Sequence, residues 1–174
     1  MTWILPYQSQ LPIVEELERQ TDRGAGIIGA AFIETVLRQS LESRMRQNTP
    51  ADKRAGKDLF DKMRPLSSFS AKIDLGLVLG LYRAEIRTDL HRIRDIRNEF
   101  AHEKEPRDFN FPKISDSCAK FWLPHHLFIV DTGAGTQGYP SSARDRYILT
   151  TKLLLGVLQR AVVTPHLPPD PLWG

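Results

Sequence analysis

The chain of 174 residues has little cysteine and no excess of one charge. Cys118 is its only cysteine, so an intrachain disulfide is impossible and a cysteine-rich zinc site is excluded. Its 24 Lys and Arg residues against 21 Asp and Glu residues give a formal charge of +3. This surplus is too small to indicate a protein that binds polyanions through charge alone. Hydrophobic residues make up 41% of the chain, enough for an ordinary core in one domain.

Long hydrophobic runs are also missing. No stretch reaches the roughly 18 apolar residues that a membrane-spanning helix needs. Residues 1–10 contain no basic side chain, and Pro6 interrupts their short apolar patch, so they predict no secretory signal. We therefore expect a cytoplasmic protein without a membrane partner.

The spacing of apolar residues is helical almost throughout the chain. It predicts an all-α, single-domain helical bundle over residues 1–163, followed by an extended, proline-rich tail over 164–174. A short polar helix is expected around Lys53, Arg54, Lys57, Leu59 and Phe60. The other predicted helices cover residues 12–20, 23–47, 69–79, 83–102, 115–121 and 143–163, with a loop over 124–142.

The first half of the 23–47 helix is apolar on every side. A helix of this kind is normally surrounded by others, and its glycines and alanines allow close approach. A helix-turn-helix interpretation of residues 13–34 would use residues 26–33 as the recognition helix. That stretch offers no donors or acceptors to base edges, so we do not expect direct DNA reading by this route.

One arginine interrupts the inner stripe of the 83–102 helix. Apolar residues recur along that stripe at Ile86, Leu90, Ile93 and Phe100. The position that the stripe predicts between the last two is Arg97. A buried guanidinium requires an acid or several acceptors. The spacing leaves three conceivable partners open: Glu34, Asp74 and Asp22.

Arg97, Asn98 and His102 form the most informative group of polar residues. Together they predict a phosphate-handling site, with Arg97 holding a phosphoryl oxygen, His102 transferring a proton and Asn98 orienting the group. The alternative is structural: Arg97 sits in a buried ion pair, and His102 stabilises the helix terminus. Residue types alone leave both open.

Other motif matches do not support a cofactor or a metal. Residues 133–138 fit the spacing G-x-G-x-x-G, but no βαβ unit surrounds them, so a flexible loop is expected. Glu99 and His102 fit E-x-x-H, but a di-iron site needs a second copy that the chain lacks. The His125–His126 pair is expected to be solvated. We predict no cofactor and no metal.

Several stretches resemble the mannitol-operon repressor (MltR) family. They are residues 65–81, residues 93–102, the opening 22–28 and the Phe109-x-Phe111 element. The resemblance covers about residues 13–163 and is strongest over 65–111. It implies an all-helical fold and a repressor-type regulator of sugar-alcohol operons that lacks a recognisable DNA-reading helix.

The segment from Arg97 to His102 also resembles the R-x4-6-H signature of HEPN domains. These domains form small helical bundles and often dimers, and many are metal-independent endoribonucleases. The resemblance implies that Arg97 and His102 act at the scissile phosphate, with the RNA 2′-hydroxyl as nucleophile. Asn98 would be the polar residue that follows the arginine, and two copies would build one cleft.

The leading interpretation is a homodimeric, MltR-like transcriptional regulator that acts through a protein partner rather than by reading bases. The alternative is a HEPN-type endoribonuclease, a toxin or defence component, for which RNA is the partner. A third interpretation is an interaction scaffold in which Arg97 only stabilises the bundle.

Overall fold

The computed structural model describes residues 11–45, 47–61, 63–102, 107–127 and 139–163. These residues contain eight helices and no strand, so the predicted all-α fold is confirmed. The tail predicted over 164–174 lies outside the described residues. The helices are α1 (Leu11–Arg19), α2 (Asp22–Arg44), α3 (Pro50–Asp58), α4 (Phe69–Val78), α5 (Ala84–His102), α6 (Pro112–Ala119), α7 (Trp122–His125) and α8 (Ala143–Val163).

Hydroxyl side chains define the starts of three helices. Thr21 accepts the Gly24 amide at the start of α2, and Ser68 accepts the Ala71 amide at the start of α4. Thr49 forms a capping box with Asp52 at the start of α3. The end of α4 is set by Gly80, whose φ of 68° only glycine adopts at little cost.

Helix α2 lies at the centre of the bundle and packs against α8, α5 and α4. Close approach depends on Gly26, where an added Cβ would lie 2.2 Å from the Phe100 ring of α5. The face that α8 turns inward is fully or nearly fully buried, and it consists of Tyr147, Thr151, Leu154, Leu158 and Ala161. The small residues predicted to bring helices together therefore do so at Gly26.

The segment between α5 and α8 differs from prediction. Helix α6 begins at Pro112, three residues before the predicted start, because proline suits the first turn of a helix. Helix α7 occupies the beginning of the predicted 124–142 loop. The buried carboxylate of Asp89 caps the start of α7. It accepts hydrogen bonds from the backbone N–H groups of Trp122 at 3.0 Å and Leu123 at 2.8 Å. The glycine motif at 133–138 lies outside the described residues.

The two adjacent histidines are not an equivalent solvated pair. His125 is exposed at the end of α7, as expected. His126 is half-buried and stacks on Trp122, with ring centroids 4.3 Å apart. The stacking partner lies one helical turn earlier, a relation that becomes visible only once α7 is recognised as a helix.

Helix α3 stands apart from the bundle, since none of its residues is buried. It ends at Asp58, and Phe60 just beyond it is buried. In the part of the chain that the structure describes, no helix is both long enough and apolar enough to cross a membrane.

Candidate functional site

Helix α5 carries all three predicted site residues. All four apolar residues of the predicted stripe are buried on this helix. Its full set of buried residues is Ile86, Asp89, Leu90, Ile93, Ile96 and Phe100. The last turn is fastened to the following segment by Glu99, whose carboxylate accepts hydrogen bonds from Arg107 and Lys113. The Lys113 hydrogen bond is the main cause that lowers the pKa of Glu99, and it outweighs the cost of desolvation.

Arg97 is half-buried between α5 and α4. Its guanidinium carbon lies 5.9 Å from the centroid of the Phe69 ring. Its Nε is fully buried and has no hydrogen-bond partner. A buried donor without an acceptor is unfavourable, so this arginine is not stabilised as buried arginines usually are.

None of the three expected acids pairs with Arg97. Glu34 instead contacts Lys72 at 2.6 Å, and Asp74 contacts both Arg87 at 2.6 Å and His91 at 3.3 Å. Asp22 contacts Arg144 at 2.6 Å. The expectation of an acidic partner from this set is therefore wrong, because each carboxylate already neutralises another cation.

The other arginines of α5 make the isolation of Arg97 plain. Each of the remaining three has a carboxylate partner, the pairs being Arg87–Asp74, Arg92–Asp89 and Arg94–Asp95. Among the described residues, Arg97 is the only arginine of α5 without a carboxylate partner. A guanidinium whose N–H groups make no hydrogen bond to the protein can bind a phosphoryl or carboxylate group.

Among the described residues, neither Asn98 nor His102 is hydrogen-bonded to Arg97. Asn98 is half-buried, and its side chain makes no hydrogen bond to any described residue. His102 is exposed as the last residue of α5. Positions 97 and 102 are separated by about 7.5 Å along a helix axis and roughly 140° around it. Within the described part of one chain, no hydrogen bond or ion pair joins any two of these three residues.

The glutamate of the E-x-x-H pair, Glu99, has a structural role. Both oxygens of Glu99 are engaged, Oε2 by Arg107 and Oε1 by Lys113. The described ranges contain no group of three or more His, Cys, Asp or Glu side chains placed to hold a metal ion. Glu99 therefore serves to fasten the end of α5.

Two buried charges were not predicted from the sequence. Lys72 is 6% exposed on α4, where its Nζ pairs with Glu34 and donates to the Ser67 carbonyl at 3.4 Å. Asp89 is fully buried on α5, and desolvation raises its pKa although three hydrogen bonds oppose the rise. Asp89 lies three residues after Ile86, so its place on the inner stripe was readable from the spacing.

The single cysteine is not a candidate nucleophile. Cys118 is buried on α6. Desolvation raises the pKa of its thiol to about 12, so the reactive thiolate is scarce at neutral pH.

Comparison with known proteins gives a match in structure but none in sequence. No family model and no curated protein matches the chain. The structure is similar to a solved chain in the X-ray structure of the MtlR–HPr complex from Escherichia coli, with a TM-score of 0.69 and 18% identity. The match covers 91% of this chain and 99% of that chain. The protein therefore has an MtlR-like all-helical fold.

Proposed function

We propose that this protein is an MltR-like, repressor-type transcriptional regulator of the cytoplasm that acts through protein contacts. The observation that carries the proposal is the fold shared with MtlR over almost the whole of both chains. That neighbour was solved in complex with HPr. We infer that HPr, or a protein resembling it, is the partner of this chain as well.

The burial of α2 supports action without direct base reading. The stretch 26–33 would be the recognition helix, and Gly26, Gly29, Ala30 and Ile33 within it are buried. A recognition helix must place exposed side chains in the major groove. This stretch instead packs against α5 and α8, so it is not available to DNA.

Exposed apolar side chains support a role in protein contacts. Met63 is 99% exposed and Val78 is 80% exposed. Burying such side chains against a partner is favourable. The proposal includes two kinds of partner, a second copy of the chain in a homodimer and HPr.

The experiment that tests the proposal is size-exclusion chromatography with light scattering of the purified chain, alone and mixed with HPr of the same organism. We expect the mass of a dimer alone and an added mass of HPr in the mixture. Monomeric elution would contradict the homodimer, and elution of HPr as a separate peak at high protein concentration would contradict the partner.

A second candidate function is the metal-independent endoribonuclease. One observation favours it, namely that Arg97 lacks a carboxylate partner and keeps donors for a phosphate. Because no hydrogen bond or ion pair joins Arg97 and His102 in the described part of one chain, the proposed site uses two copies to bring an arginine and a histidine to one phosphate.

RNA cleavage in EDTA tests this second candidate. A nuclease of this type leaves a 2′,3′-cyclic phosphate, and both Arg97→Ala and His102→Ala should abolish cleavage. The matched controls are Arg64→Ala and His125→Ala, which remove an exposed arginine and an exposed histidine elsewhere. Cleavage that survives both site substitutions comes from a contaminant and excludes the proposed chemistry.

A further inference from the structure

Helix α3 leaves a cleft between itself and the last turns of α2. The cleft has a volume of about 360 Å³, within the range of small-molecule sites. Helix α3 buries none of its own residues, and the buried Phe60 just beyond it holds the end of the segment on the core. The side chains that face the cleft are therefore open to a ligand.

Positive side chains along the cleft are only partly neutralised. Arg38 donates from Nε to Glu42 at 2.8 Å, and its guanidinium carbon lies 4.8 Å from the centroid of the Phe60 ring. This arrangement fixes the guanidinium while its terminal nitrogens make no hydrogen bond to the described residues. Lys53 and Lys57 line the same cleft from α3, and neither has an ion pair among the described residues.

The two lysines are both exposed and lie four residues apart on one short helix, where like charges repel weakly. An anion between them would relieve that repulsion. The cleft also contains two carboxylates, but Glu42 serves Arg38, and Asp52 accepts the Thr49 amide at 3.0 Å in the capping box. The three cationic side chains outnumber these two carboxylates, so the cleft has a net positive charge. That charge lies on the α3 side, because Arg38 and Glu42 of α2 form an ion pair.

The cleft also has an apolar surface. Met45 lies at the C-terminal end of α2 and lines the cleft opposite Gly56 of α3. A Cβ at position 56 would lie 3.6 Å from the Met45 sulfur. A longer side chain there would fill the space that the glycine leaves open. The cleft therefore has an apolar wall at Met45 and Gly56 beside its positive side chains.

We propose that this cleft binds a small organic phosphate. The phosphate lies between Lys53, Lys57 and the terminal nitrogens of Arg38, where charge-assisted hydrogen bonds are strongest. The organic part contacts Met45 and Gly56. This binding is independent of the proposed partner and of the Arg97 site, which lies on another helix.

Isothermal titration with three probes tests the proposal: glucose 6-phosphate, inorganic phosphate and glucose. We expect saturable binding of glucose 6-phosphate, at least tenfold weaker binding of inorganic phosphate, and none of glucose. Backbone amide shifts in NMR spectra should change at Gly56, Lys53 and Gln47. Equal affinity for inorganic phosphate would overturn the organic part of the assignment, and absence of saturation by about 10 mM of either phosphate would overturn the site.

Two variants locate the binding. The exposed double variant Lys53→Gln/Lys57→Gln should weaken binding of glucose 6-phosphate by about tenfold or more without changing the fold. Gly56→Leu should block the cleft. The control Arg19→Gln/Lys120→Gln removes the same charge from exposed sites elsewhere. An equal loss in the control would show binding by overall charge and would contradict the cleft.

Discussion

The carboxylate of Asp22 accepts the backbone N–H of Phe109 at 3.0 Å, across 87 positions of sequence. Its other oxygen accepts a hydrogen bond from Arg144 at 2.6 Å. One side chain thus joins the start of α2, the segment before α6 and the start of α8. Two of the stretches that carry the family resemblance, 22–28 and 109–111, meet at this carboxylate.

Asp22→Asn should destabilise the fold because it removes the charge that pairs with Arg144 and weakens the contact with Phe109. We expect a loss of about 1–3 kcal/mol in the free energy of unfolding, measured by urea denaturation. Asp116→Asn, at an exposed position on α6, is the control and should change little. Equal stability of the two variants would show that the Asp22 contacts contribute nothing.

Gly26→Ala should destabilise the bundle by about 1–3 kcal/mol because the new methyl group would overlap the Phe100 ring. Gly156→Ala on α8 is the matched control, since a Cβ there meets nothing within 4 Å. In that helix interior, alanine should stabilise by about 0.5–1 kcal/mol. In thermal unfolding, the Tm of Gly26→Ala should therefore fall and the Tm of Gly156→Ala should rise. Equal Tm shifts would contradict the close packing at Gly26.

Glu99 should make stability depend on pH. The folded protein lowers the pKa of this carboxyl, so its contribution is present above the unfolded pKa of about 4.3 and is lost as pH falls through the folded value. Glu99→Gln should therefore lower Tm at pH about 7 and differ less from wild type near pH 3. Glu16→Gln, at an exposed position, is the control. A Tm difference between wild type and Glu99→Gln that stays constant over this range would contradict the lowered pKa.

Arg97→Met should cost little stability because it removes a buried donor that has no partner. We expect a change in unfolding free energy within about 1 kcal/mol. Arg144→Met is the comparison, since Arg144 bonds Asp22 and the carbonyls of Glu18 and Gln20, and it should cost about 2 kcal/mol. If both cost the same, Arg97 is a structural residue and the nuclease proposal loses its support.

Helix positions were predictable where apolar spacing and capping residues agree. Ser68 marks the start of α4 and Gly80 its end, and both signals are local to the chain. Helix α7 was not predictable, because its first amide groups bond to Asp89, more than 30 residues earlier. A four-residue helix has too little sequence to show periodicity.

The choice of charge partners was not predictable either. The inner stripe predicted that Arg97 faces the core or a seam between helices, and Arg97 lies near Phe69 of α4. Its predicted acids belong to other cations, because partner choice depends on how helices far apart in sequence are packed. Lys72 takes Glu34 across 38 positions, and Arg144 takes Asp22 across 122.

The affinity of the purified chain for HPr, measured beside its affinity for operator DNA in the same buffer at about 150 mM salt, tests the regulator proposal most directly. We predict saturable HPr binding and only weak, salt-sensitive DNA binding that is indifferent to sequence. Tight binding to one operator sequence, with no binding of HPr, would contradict regulation through protein contacts.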